Sequence, residues 1–265
     1  MSHTPAVPPA ISVPIIGYHR SPLSQKFGIP RQPNLVEVPS YIEMLAPYNT
    51  PDAFVGMEDF SHLWLTWHTH HNRAQTNFKP QVRPPRLGGN AKLGVFATRS
   101  TYRPSQMGLS VVRLVGVEQT DKGVIVQIMG ADMVDGTPIV DIKPYVAYSD
   151  AMVDAVSGFA PDKPSIKKVK ISEEARQQFA QLIELSSGKN SLSSVINKTD
   201  FAKFAKTFTL EDIDIIAQLI AQDPRPAYRQ QDTQSVFVMR YKQWDISFAM
   251  DESEVIWIVA VAEVV

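Results

Sequence analysis

Short β-type segments separated by loops rich in proline and glycine fill the first 150 residues of the chain. Short strands joined by such loops are typical of a β-sandwich or a β-barrel. The segments lie at residues 15–18, 61–71, 93–98, 111–117 and 124–129. The last two flank a turn sequence that ends in Gly123, a residue that tolerates positive φ, and they therefore predict a β-hairpin.

Helical periodicity replaces this pattern after Tyr148. One apolar stripe at helical spacing runs over residues 175–183, and a second begins behind Thr209 and Asp212, which match a capping box. Residues 244–250 alternate between apolar and polar, and residues 255–261 are continuously apolar, so both segments predict strands.

These patterns predict a mainly β protein in which a small N-terminal β-barrel is followed by a smaller C-terminal α+β domain. The expected parts are a disordered tail at 1–14, the barrel at 15–155, a linker at 156–170 and the α+β domain at 171–265.

Composition excludes several classes of protein. The chain has no cysteine, which excludes disulfides, thiolate metal sites and cysteine nucleophiles. No stretch approaches the ~20 apolar residues that span a bilayer, and residues 1–14 lack the basic start and apolar run of a signal peptide. The glycine pair at 88–89 fits neither a dinucleotide fingerprint nor a P-loop. We therefore expect a cytoplasmic protein that has no membrane partner.

The charge distribution indicates a polyanionic partner, although the net charge is −1. Residues 60–117 contain no Asp or Glu but eight Lys and Arg residues, and such a segment attracts phosphates. Phe96 and Tyr102 lie among these cations and are suited to stacking on unpaired bases. The alternative is a solvated basic surface that binds no ligand.

Two further groups of polar residues have more than one interpretation. His62, His68 and His70 fall on one face of the predicted strand at 61–71, where they either ligate a metal or line a pocket as hydrogen-bonded side chains. The carboxylates at 132, 135 and 141 surround an Asp-Gly-Thr-Pro turn. In one interpretation they bind hydroxyl or amino groups of a ligand or accept a proton. In the other they only stabilise the turn.

Eight blocks of sequence resemble the TrmO family and occur in that family's order. They are KFGIPRQP at 26–33, FSHLW at 60–64, RPPRLGGN at 83–90, GVFATRS at 94–100, RP at 103–104, GLS at 108–110, the run 135–145, and DPRPAY at 223–228. The chain departs from the family's common RPNPIG pattern at 103–108, where it has RPSQMG.

The resemblance implies a dimeric β-barrel methyltransferase that uses S-adenosylmethionine. Its expected substrate is the N6 nitrogen of threonylcarbamoyladenosine beside the tRNA anticodon, so the expected partners are the tRNA anticodon loop and a second copy of the chain. Two rival hypotheses remain, a non-catalytic RNA-binding barrel and a metal-dependent β-barrel enzyme that uses His62, His68 and His70.

The resemblance also implies roles for individual residues. The residues expected around the cofactor are Pro33, Asn34, Leu35, His70, His71, Arg99, Leu109, Met129, Gly130, Ala131 and Asp132. On a strand, His70 and His71 would face opposite ways, so only one of the two rings is expected to touch the cofactor. The residues expected to bind RNA are Arg86, Arg103 and Arg225, and the candidates for the reacting centre are Asp135, Lys143 and Tyr145. For Arg225, an ion pair with Asp223 is the alternative, and no metal ligand is assigned.

Overall fold

The computed structural model describes residues 9–73, 75–187 and 207–264. Residues 1–8 of the predicted tail, Ala74 of the predicted barrel, and residues 188–206 and Val265 of the predicted α+β domain lie outside the described ranges. Residues 9–16 form neither helix nor strand. Within these ranges, no helix has the length and apolar character needed to cross a membrane.

Six strands of the N-terminal half close into a barrel in the order β1-β2-β7-β6-β3-β8, and every pairing is antiparallel. The strands of this half are β1 (Gly17–Arg20), β2 (Pro39–Met44), β3 (His62–His68), β4 (Gln81–Val82), β5 (Leu93–Gly94), β6 (Met107–Thr120), β7 (Gly123–Met129) and β8 (Pro138–Pro144). The pair β4–β5 forms a separate two-stranded sheet. The predicted β-barrel is therefore confirmed.

Alternation of side chains fills the barrel. On β3, Leu63, Leu65 and Trp67 are buried, whereas the intervening residues are half-buried on the outside. The predicted hairpin is confirmed as β6–β7, and Gly123 in its turn has φ +118°. A closed barrel leaves no unpaired strand edge, which makes it a rigid support for the loops at its ends.

The strand predicted at residues 93–98 is mostly wrong. Only Leu93 and Gly94 pair as β5, and Val95–Ala97 form a turn of 3-10 helix. The partner strand β4 is short because Pro80 and Pro84 flank it, and proline has no N–H group to donate to a ladder.

The C-terminal part is a four-stranded sheet packed against helices. Its elements, after the short helix α1 (Ala147–Asp150), are β9 (Val169–Ile171), α2 (Glu173–Ser187), α3 (Leu210–Ala221), β10 (Phe237–Tyr241), β11 (Trp244–Met250) and β12 (Ile256–Glu263). The sheet order is β10-β11-β12-β9, with β9 parallel to β12. Thr209 and Asp212 form the predicted capping box of α3. The fold class, mainly β with a barrel and an α+β part, is confirmed.

The hydrophobic cores do not divide at a single position of the chain. Leu23, Val36 and Val38 lie between the barrel strands β1 and β2 in sequence. Their side chains nevertheless pack into the core of the C-terminal sheet and helices. The segment between β1 and β2 therefore runs out of the barrel, contacts the C-terminal part, and returns. The domain limits given above remain predictions.

Candidate functional site

A cleft of about 800 Å³ opens at the end of the barrel where β3 ends and β6 begins. Its walls come from four segments of the chain, namely residues 26–32, 66–72, 98–109 and 132–137. Three of these segments run into or directly follow a barrel strand, so the closed sheet holds them, whereas residues 26–32 lie in the connection between β1 and β2. A volume between about 300 and 1,000 Å³ is typical of sites for small ligands and cofactors.

The turn after β3 places both neighbouring histidines in the cleft. The strand ends at His68, and the amide of Asn72 donates to the carbonyl oxygen of Thr69 over 2.8 Å. The rings of His70 and His71 are therefore 4.0 Å apart, and both line the cleft. The expectation that they face opposite ways is wrong, because strand alternation stops two residues before His70.

The surroundings of His70 favour the neutral form of its ring. Burial is the main cause that lowers the pKa of His70, and the nearby His71 lowers it further. A neutral imidazole has one nitrogen that accepts a hydrogen bond or a proton.

A chain of hydrogen bonds ends at a carboxylate of the cleft. The indole Nε1 of Trp67 donates to Ser110 Oγ over 3.0 Å, and Ser110 Oγ donates to Asp132 Oδ1 over 2.5 Å. Among the described residues that line the cleft, Asp132 is the single carboxylate. Burial raises the pKa of Asp132, while the bond from Ser110 and the charge of Arg99 oppose that rise.

Arg99 and Arg103 also line the cleft. Arg99 donates from Nη2 to the carbonyl oxygen of Leu109 over 3.3 Å, and Arg103 donates from Nη1 to the carbonyl oxygen of Thr98 over 3.3 Å. Within the described part of the chain, neither guanidinium is in an ion pair with a carboxylate. Both therefore keep donors available for an anionic ligand.

The other residues expected around the cofactor form a second group beside the cleft. The amide of Asn34 donates to the carbonyl oxygen of Gly130, and its side-chain Nδ2 donates to the carbonyl oxygen of Val111, each over 2.9 Å. Asn34 and Gly130 both have positive φ, and a Cβ on Gly130 would lie 2.6 Å from Asn34 Oδ1. Pro33, Leu35, Met129 and Ala131 flank these two residues and do not line the cleft of the single chain.

The structure does not bring the three candidates for the reacting centre together. Asp135 lies at the cleft end of the barrel, where its Oδ1 accepts the amide of Ser21 over 3.0 Å. Lys143 lies at the far end of β8, about 16 Å along the strand from Pro138, and pairs with Asp141. Tyr145 packs against His62 at that same far end. One chain therefore does not assemble them into one centre, and their roles remain predictions.

The three arginines expected to bind RNA have different environments. Arg103 lines the cleft, and Arg86 is exposed on the 3-10 turn Pro85–Leu87. Arg225 is 0% exposed and is paired with Asp223 through Nε–Oδ1 at 2.7 Å and Nη2–Oδ2 at 2.9 Å. Its burial supports the alternative of a structural ion pair, because no guanidinium atom reaches the surface, and the expected role in RNA binding remains a prediction.

The three histidines of the metal hypothesis do not converge. His62 and His68 stand at opposite ends of β3, about 20 Å apart, and His62 is bonded to Ser61. In the described ranges, no three residues among His, Asp and Glu are grouped closely enough to hold a metal ion. The geometry therefore gives no support to the metal-dependent enzyme.

Sequence reasoning missed several residues that build the cleft. Lys26 Nζ donates to the carbonyl oxygen of His71 over 3.0 Å and to Asn72 Oδ1 over 2.7 Å, and Arg31 lies on the same wall. The block at 26–33 carries part of the family resemblance and thus marked these residues, although it gave them no role.

Comparison with known proteins identifies the family. The chain matches the model of the tRNA-methyltransferase O N-terminal domain over residues 18–151 and that of the TrmO C-terminal domain over residues 201–264. It is 41% identical over 216 residues to the tRNA (adenine(37)-N6)-methyltransferase of Escherichia coli K12, covering 81% of this chain and 82% of that protein. It is 38% identical over 252 residues to a putative S-adenosylmethionine-dependent methyltransferase, RcsF, of Pseudomonas aeruginosa, covering 95% and 97%.

A solved structure supports the same assignment. The crystal structure of TrmO from Pseudomonas aeruginosa superposes with a TM-score of 0.71 at 32% sequence identity, covering 96% of this chain and 98% of that one. Both halves of the chain, the barrel and the C-terminal sheet, are included in that coverage. The chain belongs to the TrmO family.

Proposed function

We propose that this protein transfers a methyl group from S-adenosylmethionine to the N6 nitrogen of adenosine 37 in tRNA, and that this adenosine carries a threonylcarbamoyl group. The observation that carries the proposal is the cleft at the barrel end, where His70, His71, Arg99, Leu109 and Asp132 meet. These five residues come from three separate segments, and all were expected around the cofactor. The activity stated in the names of the relatives supports the same reaction.

The residues of the cleft fit a cofactor that combines a cationic sulfonium with a flat adenine ring. Trp67, Met107 and Leu109 supply apolar surface, and the carboxylate of Asp132 supplies negative charge. Bound S-adenosylmethionine supplies a methyl carbon that is electrophilic because it is attached to a sulfonium. Residues of the chain hold the nucleotide in line with that carbon and exclude water from it.

The target nitrogen loses a proton when it is methylated, so the site needs a proton acceptor. Asp132 and the ring of His70 are two candidate proton acceptors that line the cleft. Asp132 is the better placed of the two, because the bond from Ser110 fixes its orientation. Arg99 and Arg103 are suited to the carboxylate of the threonyl group or to a phosphate.

The test of Asp132 is the variant Asp132→Asn, which keeps the shape and loses the proton acceptor. At saturating cofactor we expect kcat to fall by about 10² or more, beyond any weaker cofactor binding that follows from the lost negative charge. The matched comparison is Asp135→Asn, since Asp135 is the candidate from sequence at this end of the barrel. Loss of turnover in Asp135→Asn alone would assign the reacting centre to Asp135 instead.

The surface beside the cleft fits single-stranded RNA. Phe78 and Phe96 stack with their ring centroids 6.0 Å apart, and Phe96 is 72% exposed. The surrounding segment is rich in Lys and Arg and free of Asp and Glu between residues 60 and 117. Exposed aromatic rings among cations bind unpaired bases by stacking and the backbone by charge, as the loop around an anticodon requires.

We also propose that the protein acts as a homodimer in the cytoplasm. The segment after β8 exposes large apolar side chains, including Tyr148 at 94%, Val153 at 100% and Val156 at 95%. A cluster of this kind marks an interaction site, and a second copy is the occupant that the family resemblance implies. Sedimentation equilibrium of the protein and of Val153→Asp tests this, because the charged variant dissociates if the segment forms the interface.

The experiment that tests the reaction is methyl transfer from labelled S-adenosylmethionine to tRNA with and without the threonylcarbamoyl group. Incorporation into the modified tRNA alone supports the cofactor, the substrate and the reaction together. Incorporation into both tRNAs keeps the methyltransferase and overturns the substrate detail. Salt-sensitive binding of tRNA without incorporation supports the rival RNA-binding barrel.

A further inference from the structure

The buried pair Asp223–Arg225 makes the turn after α3 rigid. Besides its two bonds to Asp223, Arg225 donates to the carbonyl oxygens of Gln230 and Asp232, over 2.9 Å and 3.0 Å. Pro224 and Pro226 flank it, so the backbone between residues 223 and 226 has little freedom. Such a network stabilises one conformation of this turn, because a lost partner would leave a buried charge.

This turn contacts the cleft through its backbone. The carbonyl oxygens of Asp223 and Arg225 both accept hydrogen bonds from Arg31 Nη2, over 3.4 Å and 3.3 Å. Arg31 belongs to residues 26–32, which form one wall of the cleft and are called the wall segment below.

The C-terminal sheet supports the wall segment from behind. The ring of Phe27 stacks on Phe237 at 6.5 Å and on Phe248 at 6.1 Å between centroids. Gly28 has φ +95° and lies so close to Met239 that a Cβ would be 2.4 Å from its Cγ. The wall segment thus rests on β10 and β11, and these contacts are independent of the bonds to Arg31.

The other side of the wall segment holds the turn that carries the two histidines. Lys26 Nζ binds the carbonyl oxygen of His71 and the side chain of Asn72, and Asn72 Nδ2 donates to the carbonyl oxygen of Thr101 over 3.1 Å. A continuous set of contacts therefore leads from the C-terminal sheet, through the wall segment, to two loops of the cleft.

We propose that the C-terminal part positions the methyl-transfer cleft, and that Arg225 is a positioning residue for His70 and His71. Arg225 fixes the turn at 223–226, the turn and the sheet fix the wall segment, and Lys26 of the wall segment fixes the turn at 69–72. The importance of this chain of contacts for catalysis rests on the proposed function, whereas its effect on the turn at 69–72 does not.

Two variants break the support at sites outside the cleft. Arg225→Lys keeps the positive charge and loses the planar fork that binds Asp223 and the carbonyls. Phe237→Leu removes the ring behind Phe27, and neither of these two side chains is among the described residues that line the cleft. The matched control is Arg240→Met, since Arg240 on β10 also pairs with an aspartate, Asp245 on β11, but has no bond to the wall segment among the described residues.

The first readout is hydrogen exchange of the free protein at the amides of Thr69, His70 and Asn72, which are bonded to backbone carbonyls. We expect faster exchange in both variants and no change in Arg240→Met. The second readout is the affinity for S-adenosylmethionine without tRNA, which we expect to weaken about fivefold, corresponding to about 1 kcal/mol, the value of one hydrogen bond.

The outcomes separate the two proposals. Unchanged exchange at 69–72 together with unchanged cofactor affinity overturns the positioning role, and a loss of tRNA affinity alone assigns the C-terminal part to RNA binding. If the wild type binds no S-adenosylmethionine but the two variants exchange faster at residues 69–72, the proposed function is overturned and the positioning role is kept. If Arg225→Lys does not fold, hydrogen exchange of Phe237→Leu and Arg31→Met tests the positioning role instead. Arg31→Met leaves the buried pair Asp223–Arg225 intact.

Discussion

Stability should depend on pH through the buried histidine of β1. His19 is 0% exposed, and its Nδ1 lies 3.1 Å from the carbonyl oxygen of Val134, to which it donates in the neutral form. Its Nε2 has no hydrogen-bond partner among the described residues. Burial is the main cause that lowers the pKa of His19 from 6.5 to about 4, since a proton on Nε2 would place an unpaired charge inside the protein.

The sign and size of the effect follow from linkage. The unfolded chain binds the proton at a pKa near 6.5 and the folded protein at about 4, so protonation favours unfolding. The stability contributed by the neutral ring is complete above pH 6.5 and is lost as the pH falls toward 4. A difference of about 2.5 units corresponds to about 3 kcal/mol, at about 1.36 kcal/mol per unit.

The assay is urea unfolding of the wild type and of His19→Asn at about pH 7.5 and about pH 4.5, below the unfolded pKa. The Asn side chain places an N–H near the position of Nδ1 and does not titrate, so it serves as the matched control. Between the two pH values, the wild type should lose about 2.5 kcal/mol more than the variant. Parallel loss of stability in the two proteins would refute the argument, because His19 would then titrate normally.

Three substitutions in and around the cleft give further expectations. Gly108→Ala places a Cβ 2.2 Å from Cε2 of buried Trp67, so urea unfolding should show a loss of about 1–3 kcal/mol, as overpacking costs. Arg99→Ala removes a cation of the cleft wall, and calorimetry with S-adenosylmethionine should show at least about tenfold weaker binding or an equal loss of turnover, about 1.4 kcal/mol. Unchanged affinity and turnover would contradict its placement. Phe96→Ala removes the more exposed member of the stack with Phe78 and should weaken tRNA binding by about 1–3 kcal/mol in a filter assay, with cofactor affinity unchanged.

Local signals in the sequence predicted local structure well. The hairpin β6–β7 follows from alternation on both sides of a turn that ends in Gly123, and the start of α3 follows from the capping box of Thr209 and Asp212. Each depends on residues that lie close together in sequence. The strand expected at 93–98 failed because its partner β4, which lies more than ten residues away, is limited by flanking prolines.

In the candidate site, too, features set by neighbouring residues were easier to predict than features set by the fold. His70, His71, Arg99, Leu109 and Asp132 line one cleft, and their contact with the cofactor remains the prediction that the resemblance implied. The common orientation of the two histidines was not predictable, since it depends on β3 ending at His68, where Thr69 turns to bond with Gln106. The separation of Asp135 from Lys143 and Tyr145 follows from the length of β8, which their closeness in sequence conceals.

The support of the cleft by the C-terminal part has no signal in the sequence at all. Leu23, Val36 and Val38 have the same apolar character as residues of the barrel core, and only the fold shows that they pack under β10 and β11. Arg225 likewise has the composition of an RNA contact and the environment of a core residue. The chemistry of a side chain limits what it is able to bind. The fold decides whether its binding partner is a ligand or another part of the chain. In this protein that path connects the C-terminal ion pair to the histidine turn, so a change in the C-terminal part should be tested at the cleft as well as on RNA.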